Sequence, residues 1–304
     1  MKDSWPLLVA VLIWAMPPTG QAQLSYMTND GTIVITGYSG GGAVAIPSNI
    51  NGLTVTGIAE DAFSGSSVTS VGIPGTVTTI GQGAFAYSAL TCITIPGSVI
   101  DIGSDVFTEC TGLTNATLAL GVPGIAADMF ASCEMLAGIS IPGSVGSIGP
   151  YAFESCGSLA TITIPGSVAR IQDDAFEDCT SLSSIFFKGK APMADASVFS
   201  SDLSATVYYL PGNTGWSNTF AGLPAVLWNP LIQTGGASFG VLSNQFGFNI
   251  AGTANIPLVV EASADLAAPA WVPLATLTLT NGLVYFSDSQ WTNDAERFYR
   301  IRSP

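Results

Sequence analysis

Between Gly57 and Phe199 the apolar positions of the chain recur on a fixed beat. Phe63, Phe85, Phe107, Phe130, Phe153, Phe176 and Phe199 follow one another in two steps of 22 residues and then four of 23. A period of that length marks a solenoid, in which each repeat is one coil. The text around each Phe repeats as well. One copy reads Ala152-Phe153-Glu154-Ser155-Cys156, then Leu159-Ala160-Thr161-Ile162-Thr163-Ile164-Pro165-Gly166-Ser167-Val168, then Arg170-Ile171. Leu90, Ile93 and Ile95 match Leu136, Ile139 and Ile141, and both sets match Leu159, Ile162 and Ile164. The two-residue alternation predicts one short strand per repeat, with Ile162 and Ile164 inward and Thr161 and Thr163 outward. Pro-Gly pairs at 96–97, 142–143 and 165–166 stop each strand. A single repeat cannot close a core, so these side chains are buried only when the next coil stacks on the last.

The A-F-x-x-C, L-x-x-I-x-I-P and S-V-x-x-I units resemble the BspA-like leucine-rich repeats of bacterial surface proteins, over roughly Gly57 to Phe199. The resemblance implies a parallel strand stack with short turns or helical coils on its other side, and a link to adhesion and surface recognition. The pattern breaks at Leu118-Ala119-Leu120, where Ile-Pro is missing, so an irregular coil is expected there.

The repeat fades at both ends, which sets the expected domains. Residues 23–56 read as an N-terminal cap: Gly31 to Gly37 is strand-like, and Ile46-Pro47 with Ile50 and Val55 is a degenerate repeat. Residues 200–228 read as a closing cap, with Thr206 to Pro211 and an aromatic run to Trp228. Residues 229–238 have the Pro and Gly chemistry of a linker. Strand-like runs in 239–304 then predict a small β-sandwich-like domain, making the whole chain mainly β. Residues 1–22 have the grammar of a signal peptide: Lys2, an apolar stretch from Trp5 to Met16, and small residues at Gly20 and Ala22. That stretch is shorter than the roughly 20 residues a spanning helix needs, and no later stretch qualifies. The mature chain is expected to begin near Gln23 and to be secreted or held at the cell surface.

Charge narrows the partners. The formal net charge is -14, and from Gly57 to Phe187 twelve acidic residues face one basic residue, Arg170. Nucleic acid and heparin are poor partners for such a surface. Arg297, Arg300 and Arg302 form the one basic cluster and read as solvated strand ends. The chain contains no histidine, which excludes Ser-His-Asp and Cys-His catalysis and His-ligated zinc. Cys110, Cys133, Cys156 and Cys179 each follow their Phe by three residues and should form a ladder. Collinear rungs suit neither a disulfide nor a tetrahedral zinc site, so buried thiols acting as small apolar residues are the simpler reading. Cys92 falls on the outward face, and with five cysteines at least one stays unpaired within the monomer.

Glu154 and Glu177 lie one coil apart, near the ~5 Å separation of a retaining glycosidase pair, but the repeat itself forces that spacing. Asp173-Asp174 and Glu177-Asp178 lack the spacing of an EF-hand and read as an acidic patch. Trp216, Trp228, Trp271 and Trp291 could stack on sugar rings, although capping and core roles explain them more simply. The outward strand positions are small, uncharged and rich in hydroxyls. The candidate binding face is Thr94, Asn115, Thr117, Ser140, Thr161, Thr163, Ser184 and Phe186. The expected function is a non-enzymatic scaffold for protein or glycan at a cell surface, with no cofactor and no metal. A structural envelope or matrix component is the alternative, and a carboxylate-based carbohydrate-active enzyme is a third.

Overall fold

The computed structural model describes residues 23–201 and 204–302, so the segment read as a signal peptide lies outside the described residues. Each coil of the solenoid has three sides. The first is the predicted strand side. Gly41–Ala45 pairs in parallel with Ser67–Gly72, Cys92–Ile95 with Asn115–Leu118, and Asn115–Leu118 with Gly138–Ser140. Farther along, Thr161–Ile164, Ser184–Phe187, Thr206–Tyr209 and Leu223–Leu227 form a second parallel run. The alternation places the side chains as expected: Ile93, Ile95, Ile162 and Ile164 are buried, while Thr94 is exposed and Thr161 and Thr163 are half-buried.

The second side was not visible in the repeat pattern as a strand. Leu53–Ile58, Thr79–Ile80 and Asp101–Ile102 pair in parallel, Ser147–Ile148 pairs with Arg170–Ile171, and Ile125 and Met193 continue the column through single bridges. These are the Ser-Val-x-x-Ile units, so a coil carries two short strands rather than one.

The third side consists of turns around the Phe. Each Phe amide from Phe63 to Phe176, as from Phe85 to Val106, donates to a carbonyl of the next coil at 2.7–2.9 Å. Two residues before and two after the Phe, the backbone turns left-handed, as at Asp105 (φ 59°) and Glu109 (φ 55°), Asp128 (φ 54°) and Ser132 (φ 56°), or Tyr151 (φ 53°) and Ser155 (φ 56°). Left-handed residues at that spacing stop any α-helix from propagating. No α-helix occurs among the described residues, so of the two possibilities the resemblance implied, turns are the ones realised.

The interior is a column of rings. Phe63, Phe85, Phe107, Phe130, Phe153, Phe176 and Phe199 stack with centroids 4.9–5.5 Å apart and planes within 22° of parallel. All seven are at most 1% exposed. The ring spacing follows the ~4.8 Å separation of adjacent strands, because one hydrogen-bonded coil lies directly on another. At the N-terminal end an antiparallel hairpin, Gln23–Asn29 with Thr32–Ser39, covers the column, and Tyr38 stacks on Phe63 at 5.3 Å. At the other end Trp216 stacks on Tyr209 at 5.0 Å and donates to the Gly189 carbonyl at 3.1 Å, while Phe220 lies against Phe199 at 6.4 Å. Trp216 is therefore a lid on the open end.

The irregular coil at Leu118-Ala119-Leu120 is a local event. Asn115–Leu118 keeps its register, and Leu120 turns out to 76% exposure. The coil differs instead in its backbone, since two glycines touch there. A Cβ on Gly97 would lie 1.9 Å from the Leu120 carbonyl oxygen, and one on Gly121 2.2 Å from that of Gly97.

Beyond the solenoid stand two small antiparallel sheets. One joins Leu231–Gln233, Gly240–Leu242 and Leu283–Asp288 to Gln245–Ala251. The other joins Val272–Thr278 and Phe298–Arg302 to Pro257–Ser263. Leu231–Gln233, in the stretch with linker chemistry, is thus a paired strand. The two sheets share a core of Phe248, Ile250, Leu258, Val260, Leu279 and Phe286, and Phe186 and Tyr208 of the solenoid enter that same core.

Candidate functional site

The outward strand side presents side chains whose backbones are already spent in the sheet. Cys92, Asn115 and Gly138 form one row across three coils, and Thr94, Thr117 and Ser140 form the next. In the second run Thr161, Ser184 and Thr206 share a row, and Thr163, Phe186, Tyr208 and Val226 share its neighbour. Thr94, Asn115 and Ser140 are exposed, and Thr117, Thr161, Thr163 and Ser184 are half-buried. Threonines at the strand entries are already engaged: Thr91 donates to the Thr69 carbonyl at 3.2 Å and Thr114 to that of Thr91 at 3.0 Å. By contrast, Thr94, Asn115, Thr117, Ser140, Thr161 and Thr163 make no side-chain hydrogen bond among the described residues. Seven of the eight predicted positions therefore keep at least part of a polar side chain in solvent.

Phe186 is the exception and corrects the expectation. It points outward as the alternation requires, yet it is 4% exposed, stacked on Tyr208 at 5.0 Å with the Trp228 ring edge-on at 6.3 Å. The last coils replace hydroxyls with Phe186, Tyr208 and Val226, an apolar patch that the C-terminal sheets cover. Phe186 thus forms a docking seat within the chain. Trp228 belongs to the same seat, donating its indole N–H to the Pro257 carbonyl at 2.8 Å, and Asn229 accepts from the Thr253 amide at 2.7 Å and hydroxyl at 2.8 Å.

Where the sheets meet the solenoid a cleft of about 320 Å³ remains. Thr163, Phe186, Tyr208 and Trp228 line it from the solenoid together with Lys188, and Ile301 and Arg302 come from the last strand. The face expected from sequence therefore runs into this cleft through Thr163. The sequence pattern could not have found Lys188 or Arg302, because no periodicity links them to the strand side. A shallower hollow of about 280 Å³ lies on the same face between Ser70, Gly72, Cys92 and Thr94.

The cysteine ladder is chemically quiet. Cys110, Cys133, Cys156 and Cys179 donate their thiols to the carbonyls of Phe85, Phe107, Phe130 and Phe153 at 3.1–3.3 Å, and none of the five cysteines is in a disulfide. Burial pushes the thiols of Cys110, Cys133 and Cys156 up, so they are poor nucleophiles. Cys92 is exposed.

The acidic residues gather on the turn side, away from the strand face. Partial burial, and then Glu177, Asp128, Asp178 and Asp174, raise the Glu154 carboxyl. Neither cleft borders Glu154 or Glu177. Asp173 is raised by its hydrogen bond with Asp195, which the Ser197 hydroxyl and backbone amide in turn hold below the usual range. Among the described residues no group of three His, Cys, Asp or Glu side chains is placed to hold a metal ion. Likewise, among the described residues no helix is long and apolar enough to cross a membrane. Of the remaining tryptophans, Trp271 lies under the Arg300 guanidinium at 4.3 Å.

Against known proteins, the model of the BspA type leucine rich repeat region matches in six copies over residues 44–159 and 113–220. Among solved structures, a leucine rich cell surface protein of Faecalibacterium prausnitzii A2-165 is 25% identical over 63% of this chain and 71% of its own, with a TM-score of 0.44. The leucine rich repeat protein of T. pallidum is 29% identical over 66% of this chain and 88% of its own, with a TM-score of 0.37. A leucine-rich repeat protein of Bacteroides ovatus is 20% identical over 71% of this chain and 77% of its own, with a TM-score of 0.39. No curated protein matches the chain.

Proposed function

Because the chain belongs to the BspA-type leucine-rich-repeat family, we propose that it is an exported, non-enzymatic scaffold that binds protein or glycan at a cell surface through its outward strand side. One observation carries this reading. The polar side chains of Thr94, Asn115, Thr117 and Ser140 stand in register on a backbone that needs nothing further, so they are available to a partner without disturbing the coil. A face of this composition supplies hydrogen bonds and lacks charged and aromatic anchors, which suits modest affinity multiplied over many copies. The charge of -14 and the acidic turn side turn polyanions away.

A glycan array and capture from cell-envelope extracts, run with wild type and with a Thr94→Lys, Thr117→Lys, Ser140→Lys variant, test the proposal. These positions point out of the coil, so the variant should stay folded, at a modest cost from three like charges in one row, and lose its ligand at least about tenfold. A wild-type protein that only self-associates would favour a structural envelope or matrix component instead. Unchanged binding by the variant would move the site off this face. Hydrolysis of a glycan, abolished by Glu154→Gln or Glu177→Gln, would overturn the non-enzymatic reading.

A further inference from the structure

In the C-terminal sheets Leu283–Asp288 pairs with Gln245–Ala251 on one side, and among the described residues no strand pairs with its other side. Such an edge presents a row of backbone N–H and C=O groups to any strand that can reach it. Other outer strands carry features that keep edges apart. Gln23–Asn29 is bulged at Ser25-Tyr26, Val272–Thr278 is bulged and holds Pro273, and Phe298–Arg302 holds Arg300 and Arg302. Leu283–Asp288 has none of these. Its six pairs with Gln245–Ala251 run without a shift, it holds no proline, and its one charge, Asp288, is buried at the strand end against Arg297 at 2.7 Å. Nor does the Tyr285 ring close the edge. It leans back over the sheet, since a Cβ on Gly247 would lie 2.1 Å from the Tyr285 hydroxyl oxygen. On the outward face Leu231, Ala251 and Leu283 form one row across the strands. Leu231, Leu283 and Tyr285 are exposed, so the free edge borders an apolar surface.

We propose that Leu283–Asp288 is the edge at which a second copy of this chain adds, antiparallel, to make one continuous sheet across a two-fold dimer. Charge and register both favour a second copy. Leu283 to Ser287 carry no charge, so two chains of net charge -14 can lay this edge on itself without opposing like charges. Opposed residues of antiparallel strands point to the same face. The exposed Leu283, Tyr285 and Ser287 must therefore meet one another, and Val284 must meet Phe286. Placing Tyr285 on the two-fold axis does this, sets Leu283 beside Ser287 of the second copy, and leaves Asp288 beyond the paired residues. Centring on Phe286 would set the Asp288 carboxyl beside Val284, and centring on Val284 would pair fewer residues of the strand. Symmetry uses up the edge in both copies, so the assembly stops at two. The inference goes beyond the binding-scaffold reading and does not rest on it, since no residue of the outward solenoid face takes part. A dimer would present that face twice.

Sedimentation velocity of the full chain, loaded from low micromolar to several hundred micromolar, tests the pairing. The mass should rise to that of two copies and go no further. Leu283→Lys and Ser287→Lys should each raise the dissociation constant at least about tenfold. Both positions are exposed, so each variant should keep the wild-type circular dichroism spectrum. Because Leu283 and Ser287 are opposed in this register, Leu283→Glu combined with Ser287→Lys should recover most of the loss. Val272→Lys, exposed as well but on Val272–Thr278, should leave the association unchanged. A chain that stays monomeric throughout, growth beyond two copies, indifference to Leu283→Lys and Ser287→Lys, no recovery in the double variant, or an equal loss in Val272→Lys would each overturn the assignment.

Discussion

At the scale of single residues, stability is set in opposite directions by buried rings and by one crowded carboxylate. A middle rung of the ring column such as Phe130 has a Phe on each side, at 5.4 Å and 5.5 Å, and no solvent. Phe130→Ala leaves a cavity that neighbouring coils cannot fill without losing their hydrogen bonds, so chemical denaturation should show a loss of about 3–5 kcal/mol. Glu154 works in the opposite direction. Partial burial and the surrounding carboxylates raise its folded pKa above the unfolded value, so its ionised form is a penalty to the folded state at neutral pH. The penalty is complete above the raised folded pKa and vanishes below the ordinary glutamate range. Glu154→Gln should therefore melt above wild type at neutral pH, and the two curves should converge as the pH falls through that window. A constant gap at all pH values would assign the effect to something other than this charge.

At the scale of elements, the strand side and the Phe rungs were legible because each repeat prints them with the same residues at the same offsets. Ile162 and Ile164 announce their facing by alternation over four residues, Thr161–Ile164. The second strand column escaped notice because Thr79–Ile80 or Ser147–Ile148 is too short to show an alternation. What makes it a strand is the coil lying against it. That closeness has a residue signature, the glycine after the isoleucine. A Cβ on Gly81, Gly103 or Gly149 would come within 2.4–2.6 Å of backbone nitrogen in the preceding coil. Gly103→Ala should thus force two coils apart and cost about 1–3 kcal/mol in a thermal or denaturant melt, the range of an overpacked core. The Leu231–Gln233 strand was likewise illegible, since Pro230 and Gly235-Gly236 around it read as loop chemistry and only the partner Gln245–Ala251 makes it a strand.

At the scale of the whole molecule, the long-range docking of the C-terminal sheets decides which part of the predicted face is usable. Local alternation correctly turned Phe186 outward. It could not say that Phe248, Ile250 and Leu258, more than sixty residues later, belong to the same core. The outward facing of Thr94 through Ser184 was therefore legible, while the cleft beside them needed the fold to bring Lys188 and Ile301 together. Both sites depend on equivalent residues of successive coils lying in register, and the seven phenylalanines report that register. In a perdeuterated sample with protonated phenylalanine rings, nuclear Overhauser effects should connect Phe63 to Phe85, Phe85 to Phe107 and so on to Phe199 as an unbroken walk, as ring centroids 4.9–5.5 Å apart require. Rings that connect out of sequence, or not at all, would contradict the stacked coil and both sites built on it.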